Sequence, residues 1–430
     1  MPSSLAPLLM ARRRVTRYEM GRKTTTTMIR LVYITTVPAS ANGFLRGQAT
    51  YMRKRGFDVV VISAPGDELR ILEEREKVTT IAVPMEREIS PFKDLLSLVR
   101  LYTILRRLRP AIVNAGTPKA GLLGMIAACA AGVPARVYVL HGLRLETTSG
   151  LKRLVLGVAE RCAATLAHSV ICCSESLRHL YVTLGLTTEA KARVLGEGSA
   201  NGVDIDEFTV TPERRDRARE WRARFGIPDG APVVGFVGRL TRDKGVPELV
   251  DAFNQILPRF PNARLLMVGD FEQGDPVPEC YVKQLRSHPR VIITGYVSDP
   301  ALYYPIMDIL ALPSHREGLG IAVLEAAVAE IPAVAFRVTG SVDAVSNGVT
   351  GTLVPFGDVD AFARAAQRYL SDDTLRREHG QAGRERVMRH FCPEMIWEAL
   401  AEEYARLLKS RDGILSRTSA FSSGNASEME

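Results

Sequence analysis

Short runs of β-branched and aliphatic residues alternate along this chain with longer segments whose apolar positions recur every three or four residues. In the first half the runs lie at 29–35, 58–63, 79–83, 111–114, 136–140 and 169–172. Their apolar residues are nearly continuous rather than alternating, which is the pattern of a strand covered on both faces. Between several of them lie segments of helical period. The clearest spans 91–107, where Leu95, Leu98, Val99, Tyr102 and Leu105 are expected to share one face. A polar, charged stretch at 209–230 interrupts the alternation. It then restarts, with strands expected at 233–237, 264–268, 291–294, 309–312 and 333–336. Strand–helix alternation predicts parallel sheets clothed by helices. The fold class is therefore α/β: two doubly wound, Rossmann-like domains in succession, with a cleft facing the carboxyl ends of both sheets.

The expected organisation is a basic extension at 1–27, a first domain at 28–208, a linker at 209–230, a second domain at 231–392, a helix at 393–410 that packs back toward the first domain, and a Ser-rich tail at 411–430. The extension holds Arg12, Arg13, Arg14, Arg17, Arg22 and Lys23, followed by four threonines. It reads as disordered, as the product of a start upstream of Met28, or as a transit peptide; the tail reads as disordered.

Composition narrows the class. With 46% hydrophobic and 24% charged residues among 430, a fibrous or disordered chain is excluded. A spanning helix needs about 20 apolar residues, and the longest uncharged run, 120–135, is broken by glycines and Pro134. The six cysteines include no C-x-x-C and read as reduced thiols of a cytosolic protein. Charge is uneven. Residues 1–208 carry 29 basic and 18 acidic residues, a net +11, and the remainder 27 and 30, a net −3. A basic first half suits an anionic membrane surface or a phosphorylated substrate, or is simply a solvated basic face. The basic residues are dispersed and match no binding motif, which argues against nucleic acid.

Two segments carry chemistry. Gly238-Arg239-Leu240-Thr241-Arg242-Asp243-Lys244-Gly245 joins an expected strand to an expected helix. Such a junction aims backbone N–H groups and a helix dipole at the cleft, and Arg239 and Lys244 add two cations suited to a diphosphate. The competing reading is a surface turn with two solvated cations. The second segment, Glu317-Gly318-Leu319-Gly320-Ile321-Ala322-Val323-Leu324-Glu325, opens another helix. Its glycines allow close approach of a ligand, and eight residues bring Glu325 about two turns along from Glu317. Two D-x-D pairs, Asp204/Asp206 and Asp358/Asp360, read as turn and N-cap residues rather than as metal ligands.

In combination, a G-R-x-x-x-x-K-G turn followed by E-G-x-G-x-x-x-x-E resembles the retaining glycosyltransferases of family 4, from about residue 28 to 408. Gly295-Tyr296-Val297, Leu312-Pro313-Ser314 and the segment 347–351 agree with it. The resemblance implies the GT-B fold and a donor site. Arg239 and Lys244 would bind the donor diphosphate, and Glu325 the ribose. Glu317 with Gly318, Leu319 and Gly320 would contact the sugar and phosphate, and Tyr296 and Val297 would lie near the base. In the first domain, Asn42-Gly43 would approach the phosphates, in a loop that departs from the family's double-glycine form. His141 would contact the donor sugar, and Glu317, Arg239, Lys244 and His141 form the implied catalytic set. The segment 117–124 is similar to a branch that builds bacterial surface glycans on polyprenyl diphosphate, where Lys119 would meet an acceptor phosphate.

The implied activity is metal-independent transfer, without a cofactor, from a nucleoside diphosphate sugar, most simply a UDP-sugar, to a lipid-linked or other glycan acceptor. It would operate peripherally at the cytoplasmic face of the membrane. A non-catalytic sugar-nucleotide-binding subunit and a sugar-nucleotide epimerase of the same architecture stay open at this stage.

Overall fold

The continuous apolar runs become buried parallel strands. The computed structural model describes residues 28–424 apart from 89 and 200; the extension at 1–27 and the last six residues of the tail lie outside the described residues. Seven strands, β1 (Ile29–Ile34), β2 (Phe57–Ser63), β3 (Thr79–Ala82), β4 (Ile112–Gly116), β5 (Ala135–Leu140), β6 (Ser169–Cys172) and β7 (Ala192–Val194), form a parallel sheet in the order 3-2-1-4-5-6-7. Leu31 at its centre lies beside Val59 on β2 and Ile112 on β4. A second sheet is built of β8 (Val233–Val237), β9 (Arg264–Val268), β10 (Val291–Ile293), β11 (Ile309–Leu312), β12 (Ala333–Phe336) and β13 (Gly351–Val354), in the order 10-9-8-11-12-13. Each sheet reverses its winding next to its first strand, and ligands bind outside the strand ends at such points.

Helices cover both faces of the first sheet. One face carries α1 (Pro38–Phe44), α2 (Gln48–Lys54) and α3 (Asp67–Glu76). The other carries α4 (Pro91–Leu108), α5 (Pro118–Ala130), α6 (Gly150–Leu166) and α7 (Glu175–Thr183). A short α8 (Ile205–Phe208) leads to α9 (Pro212–Arg224). The second sheet is flanked by α10 (Val246–Ile256), α11 (Glu279–Ser287), α12 (Ile321–Val328), the short α13 (Ser341–Ala344), α14 (Val359–Ser371) and α15 (Asp373–His390). The last helix, α16 (Pro393–Gly424), packs on the first sheet through Ile396, Leu400 and Tyr404, whose hydroxyl accepts from Asn114 Nδ2 at 2.5 Å.

The chain thus crosses between domains twice, and the crossings touch. Val203 N donates to the Phe391 carbonyl at 2.8 Å. A Cβ on Gly202, at φ +74°, would lie 2.5 Å from Pro393 Cα.

Four sequence expectations change. The stretch 209–230 is no linker: α9, N-capped by the Thr211 hydroxyl, buries Ala218 and packs Trp221 and Phe225 against Tyr303 of the second domain. Three apolar residues in a highly charged helix suffice for that. In α4 the buried stripe is Ser97, Leu101 and Leu105, and the expected face is split, with Leu95, Val99 and Tyr102 exposed. The strands β7 and β13 escaped detection, because Arg193 interrupts the first and Gly351-Thr352 opens the second. The backbone stays helical through residues 411–424, within the stretch expected to be a disordered tail.

Candidate active site

The turn 238–245 carries the chain from β8 into α10. Gly245, the N-cap of α10 at φ +72°, has no room for a side chain: a Cβ would lie 1.9 Å from the Pro313 carbonyl oxygen. Glycine therefore lets this turn lie against the loop after β11. Backbone bonds fasten it there, with His315 N donating to the Asp243 carbonyl at 2.8 Å and Asp243 N to Asp275 Oδ2 at 2.7 Å.

Both cations of the turn are held by carboxylates. Lys244 Nζ donates to Glu317 Oε1 at 2.6 Å. Arg239, half exposed, pairs with Glu272, and Glu272 also pairs with Arg87 of the first domain. Burial pushes the Glu272 carboxyl up, but the two arginines outweigh it and hold it below its ordinary pKa. The turn and the E-x7-E segment are thus joined directly, by partners 73 positions apart in the sequence.

Glu317 is buried, and its N–H donates to the Thr339 carbonyl. Gly318 makes the closest approach across the cleft: a Cβ there would lie 2.0 Å from the carbonyl oxygen of His141, and its own carbonyl accepts from Ser174 Oγ at 2.6 Å. Leu319 is buried among residues of the second core, and Gly320 caps α12 at φ +72°. Glu325 accepts from the Tyr304 hydroxyl at 2.5 Å. Burial raises its pKa to about 7 against the lowering effect of that hydrogen bond.

His141 follows β5 and stacks on Phe44, with ring centroids 4.0 Å apart and planes 11° apart. Its Nδ1 is 3.8 Å from Cys173 Sγ. Burial lowers its pKa to about 4, so at neutral pH it is an uncharged hydrogen-bonding group. Burial pushes the Cys173 thiol up to about 12, which leaves it protonated.

Other expected residues stand elsewhere. The Asn42 side chain and carbonyl both accept from Arg75 on α3, and Gly43 is exposed. From the same helix α1 it is Phe44 that reaches His141. Lys119 pairs with Asp94 Oδ1 at 2.6 Å and donates to the Glu88 carbonyl, so it ties α5 to the start of α4. Tyr296 is 81% exposed beyond β10, while Val297 packs against the second core. Asp204 and Asp358 each accept a backbone N–H three residues on, as N-caps do.

Sequence reading missed two further groups. On the turn after His141, Glu146 has a buried Oε1 without a hydrogen-bond partner. Burial raises its pKa, with Asp243 and Glu317 adding to the rise and Thr339 and Arg316 opposing it. Arg316 bonds Asp243 Oδ2 at 2.8 Å and Thr147 Oγ1 at 3.0 Å, joining the two domains beside Glu317. The site therefore gathers cations, a neutral imidazole and carboxylates at the ends of both sheets, an arrangement suited to holding a diphosphate against a polyhydroxylated group.

Comparison with known proteins identifies the architecture. Residues 41–198 match the glycosyl transferase 4-like domain, and residues 217–386 match the glycosyl transferases group 1 family. The capsular polysaccharide biosynthesis glycosyltransferase CapM of Staphylococcus aureus is 37% identical over 369 residues, which cover 86% of this chain and 95% of CapM. The chain is a family 4 glycosyltransferase.

An Escherichia coli relative, the UDP-Gal:alpha-D-GlcNAc-diphosphoundecaprenol alpha-1,3-galactosyltransferase, is 29% identical over 292 residues, 67% of this chain and 74% of that enzyme. The crystal structure of Anabaena HepE in complex with UDP-glucose superposes with a TM-score of 0.74 at 23% identity, covering 88% of this chain and 100% of HepE. That likeness shows that this glycosyltransferase has the GT-B fold.

Proposed function

We propose that this glycosyltransferase moves a sugar, with retention of anomeric configuration, from a UDP-sugar to a glycan carried on a polyprenyl diphosphate. One observation carries the proposal: on the turn that holds Arg239 at the head of α10, Lys244 pairs with Glu317, whose neighbour Gly318 meets His141 of the other domain. Similarity to a capsular polysaccharide enzyme and to a galactosyltransferase acting on a diphosphoundecaprenol acceptor supports the choice of acceptor. Similarity in fold to a protein crystallised with UDP-glucose supports the choice of nucleotide.

In this reading the bond from the sugar's anomeric carbon to the β-phosphate oxygen breaks while the acceptor hydroxyl attacks from the same face. The hydroxyl's proton passes to the departing phosphate oxygen, so UDP and a glycoside are the products. Charge grows on that oxygen in the transition state. Arg239, Lys244 and the start of α10 therefore stabilise the transition state more than the ground state. On arrival of the diphosphate, Arg239 exchanges Glu272 and Lys244 exchanges Glu317 for phosphate oxygens. Glu317 is then free to accept from sugar hydroxyls, and Glu325 from the ribose. The neutral imidazole of His141 donates to the sugar without placing a full positive charge beside an oxocarbenium-like centre.

The two cations take the electrostatic role that a divalent ion has in other glycosyltransferases, so transfer is proposed to need no metal. The acceptor places the enzyme peripherally at the cytoplasmic face of the membrane. Among the described residues no helix is long and apolar enough to cross a membrane. The test is a panel of UDP-sugars offered with undecaprenyl-diphosphate N-acetylglucosamine, with and without EDTA. One UDP-sugar is expected to yield a lipid-linked disaccharide at the same rate in EDTA. UDP release without a glycosylated product, for every acceptor tried, would overturn the acceptor; a strict Mg²⁺ requirement would overturn the metal-free mechanism.

A further inference from the structure

Two helices of the first domain carry apolar side chains that none of the described residues covers. On α4, Leu101 and Leu105 face the sheet, while the outer side presents Phe92, 87% exposed, with Leu95, Leu96 and Val99, each more than half exposed. On α6, Ala163 and Ala164 face the sheet, and the outer side presents Leu151, Leu154, Val155 and Val158, with Leu151 76% exposed. α5 lies between them and contacts both. Scattered exposed leucines need no explanation; eight large apolar side chains on neighbouring helices of one face do.

Position and charge say what covers them. These helices run back along the sheet, so their first halves lie toward the carboxyl ends of the strands, where the cleft opens. The exposed apolar residues occupy those first halves. The unpaired exposed charges on the two helices themselves are basic: Arg100, Arg106 and Arg107 on α4, and Lys152 and Arg161 on α6, whereas Lys93 in the first turn of α4 is paired with Glu86 of the preceding loop. The acids of the two helices are engaged inward. Asp94 pairs with Lys119, and Glu160 is buried, accepting from the hydroxyls of Tyr138 at 2.9 Å and Tyr181 at 3.0 Å. A two-fold dimer through this face would set its basic residues against their own copies, which disfavours a second molecule of the chain as the occupant.

We infer that α4 and α6 form a membrane-docking face, whose apolar side chains enter the interfacial layer of an anionic bilayer beside the cleft mouth while the flanking arginines and lysines meet lipid phosphates. Amphipathic helices lie in that interface by this combination of apolar burial and charge. The inference deepens the lipid-linked acceptor reading and rests on it for its purpose, because it brings the cleft to an acceptor at the bilayer surface. It also changes what the basic charge alone implies. Charge-driven association is released by salt, whereas a docked apolar face retains part of its binding.

The test is flotation of the full chain with vesicles of phosphatidylglycerol and phosphatidylethanolamine, free of acceptor, at low and high salt, with phosphatidylcholine vesicles as the comparison. The variants are Leu95→Glu/Val99→Glu on α4 and Leu154→Glu/Val158→Glu on α6. All four positions are exposed, so the variants are expected to keep the wild-type melting temperature and UDP affinity. The wild type is expected to float with the anionic vesicles, to keep a measurable fraction bound at high salt, and to bind phosphatidylcholine poorly. Each double variant is expected to lower vesicle binding about tenfold or more. Vesicle binding that the variants leave unchanged overturns the inference. So does a wild type that ignores vesicles but forms a dimer these substitutions dissolve. If flotation behaves as stated while no lipid-linked acceptor is glycosylated, the acceptor reading fails and the docking face stands.

Discussion

Glu325 shows how a single carboxyl links structure to pH. Its pKa lies near 7 because burial disfavours the charge more than the Tyr304 hydroxyl supports it. In the proposed ribose role the hydroxyls need the ionised form as acceptor, so below pH 7 donor binding would also remove a proton. Affinity for a UDP-sugar, whose diphosphate does not titrate in this range, is therefore expected to rise with pH up to about 7 and then level off, by at most about tenfold per unit. Glu325→Gln is expected to weaken donor binding by about 1–3 kcal/mol and to abolish that rise. Calorimetric titration at several pH values checks both, and an unchanged isotherm removes Glu325 from the ribose site. His141 is predicted to behave differently. With a pKa of about 4 it is neutral throughout, so it contributes no inflection to the rate near pH 6–7. His141→Ala is expected to lower kcat about 100-fold, and Phe44→Ala, which removes the ring stacked on the imidazole, to lower it less while leaving donor affinity nearly intact. Steady-state kinetics separate the two, and equal effects of both on donor binding alone would contradict the assignment. The candidate residues legible beforehand, Arg239, Lys244, Glu317 and Glu325, share a property: each sits on a strand–turn–helix junction or in the helix that it opens, where the geometry is local. Phe44, Glu146 and Glu272 were not legible, because they enter the site by approach of segments distant in sequence, and no spacing records that; Arg316, although next to Glu317, lies outside the E-x7-E spacing.

At the scale of elements, burial against neighbours decided what charge and pattern left open. The strands longer than four residues were all legible, because their apolar runs are continuous. β7 holds Arg193 between its two apolar residues and β13 opens on Gly351-Thr352, so neither presents a continuous apolar run. α9 carries a charge density that reads as a linker, yet its Ala218, Trp221 and Phe225 recur at helical spacing and find Tyr303. Trp221→Ala is expected to destabilise the second domain by about 2 kcal/mol, since the indole is partly buried rather than enclosed. A chemical denaturation midpoint unmoved by this change would return 209–230 to the status of a linker. In α4 a helix with apolar residues on two sides offered two candidate faces. Periodicity cannot say which one meets the sheet; packing chose the one bearing Ser97, Leu101 and Leu105.

Across the whole molecule, the two domains meet through bonds that share the donor site. Ser174 Oγ reaches Gly318, Ser176 Oγ reaches Asp343, and Arg316 and Asp243 reach Thr147. The two crossings between the domains are themselves bonded, Val203 N donating to the Phe391 carbonyl. Contact between the domains thus assembles the candidate site, setting His141 beside Gly318 and Arg87 beside Glu272; in the proposed mechanism this enclosure orients the acceptor and keeps water from the reacting carbon. Transfer without water and from one face of the sugar has a stereochemical signature. The most direct measurement is the anomeric configuration of the product, read from the coupling constant of its anomeric proton by NMR, with an α-linked UDP-sugar as donor and EDTA present. An α-linked product formed in step with UDP release is the expected result; a β-linked product would contradict same-face transfer at this site.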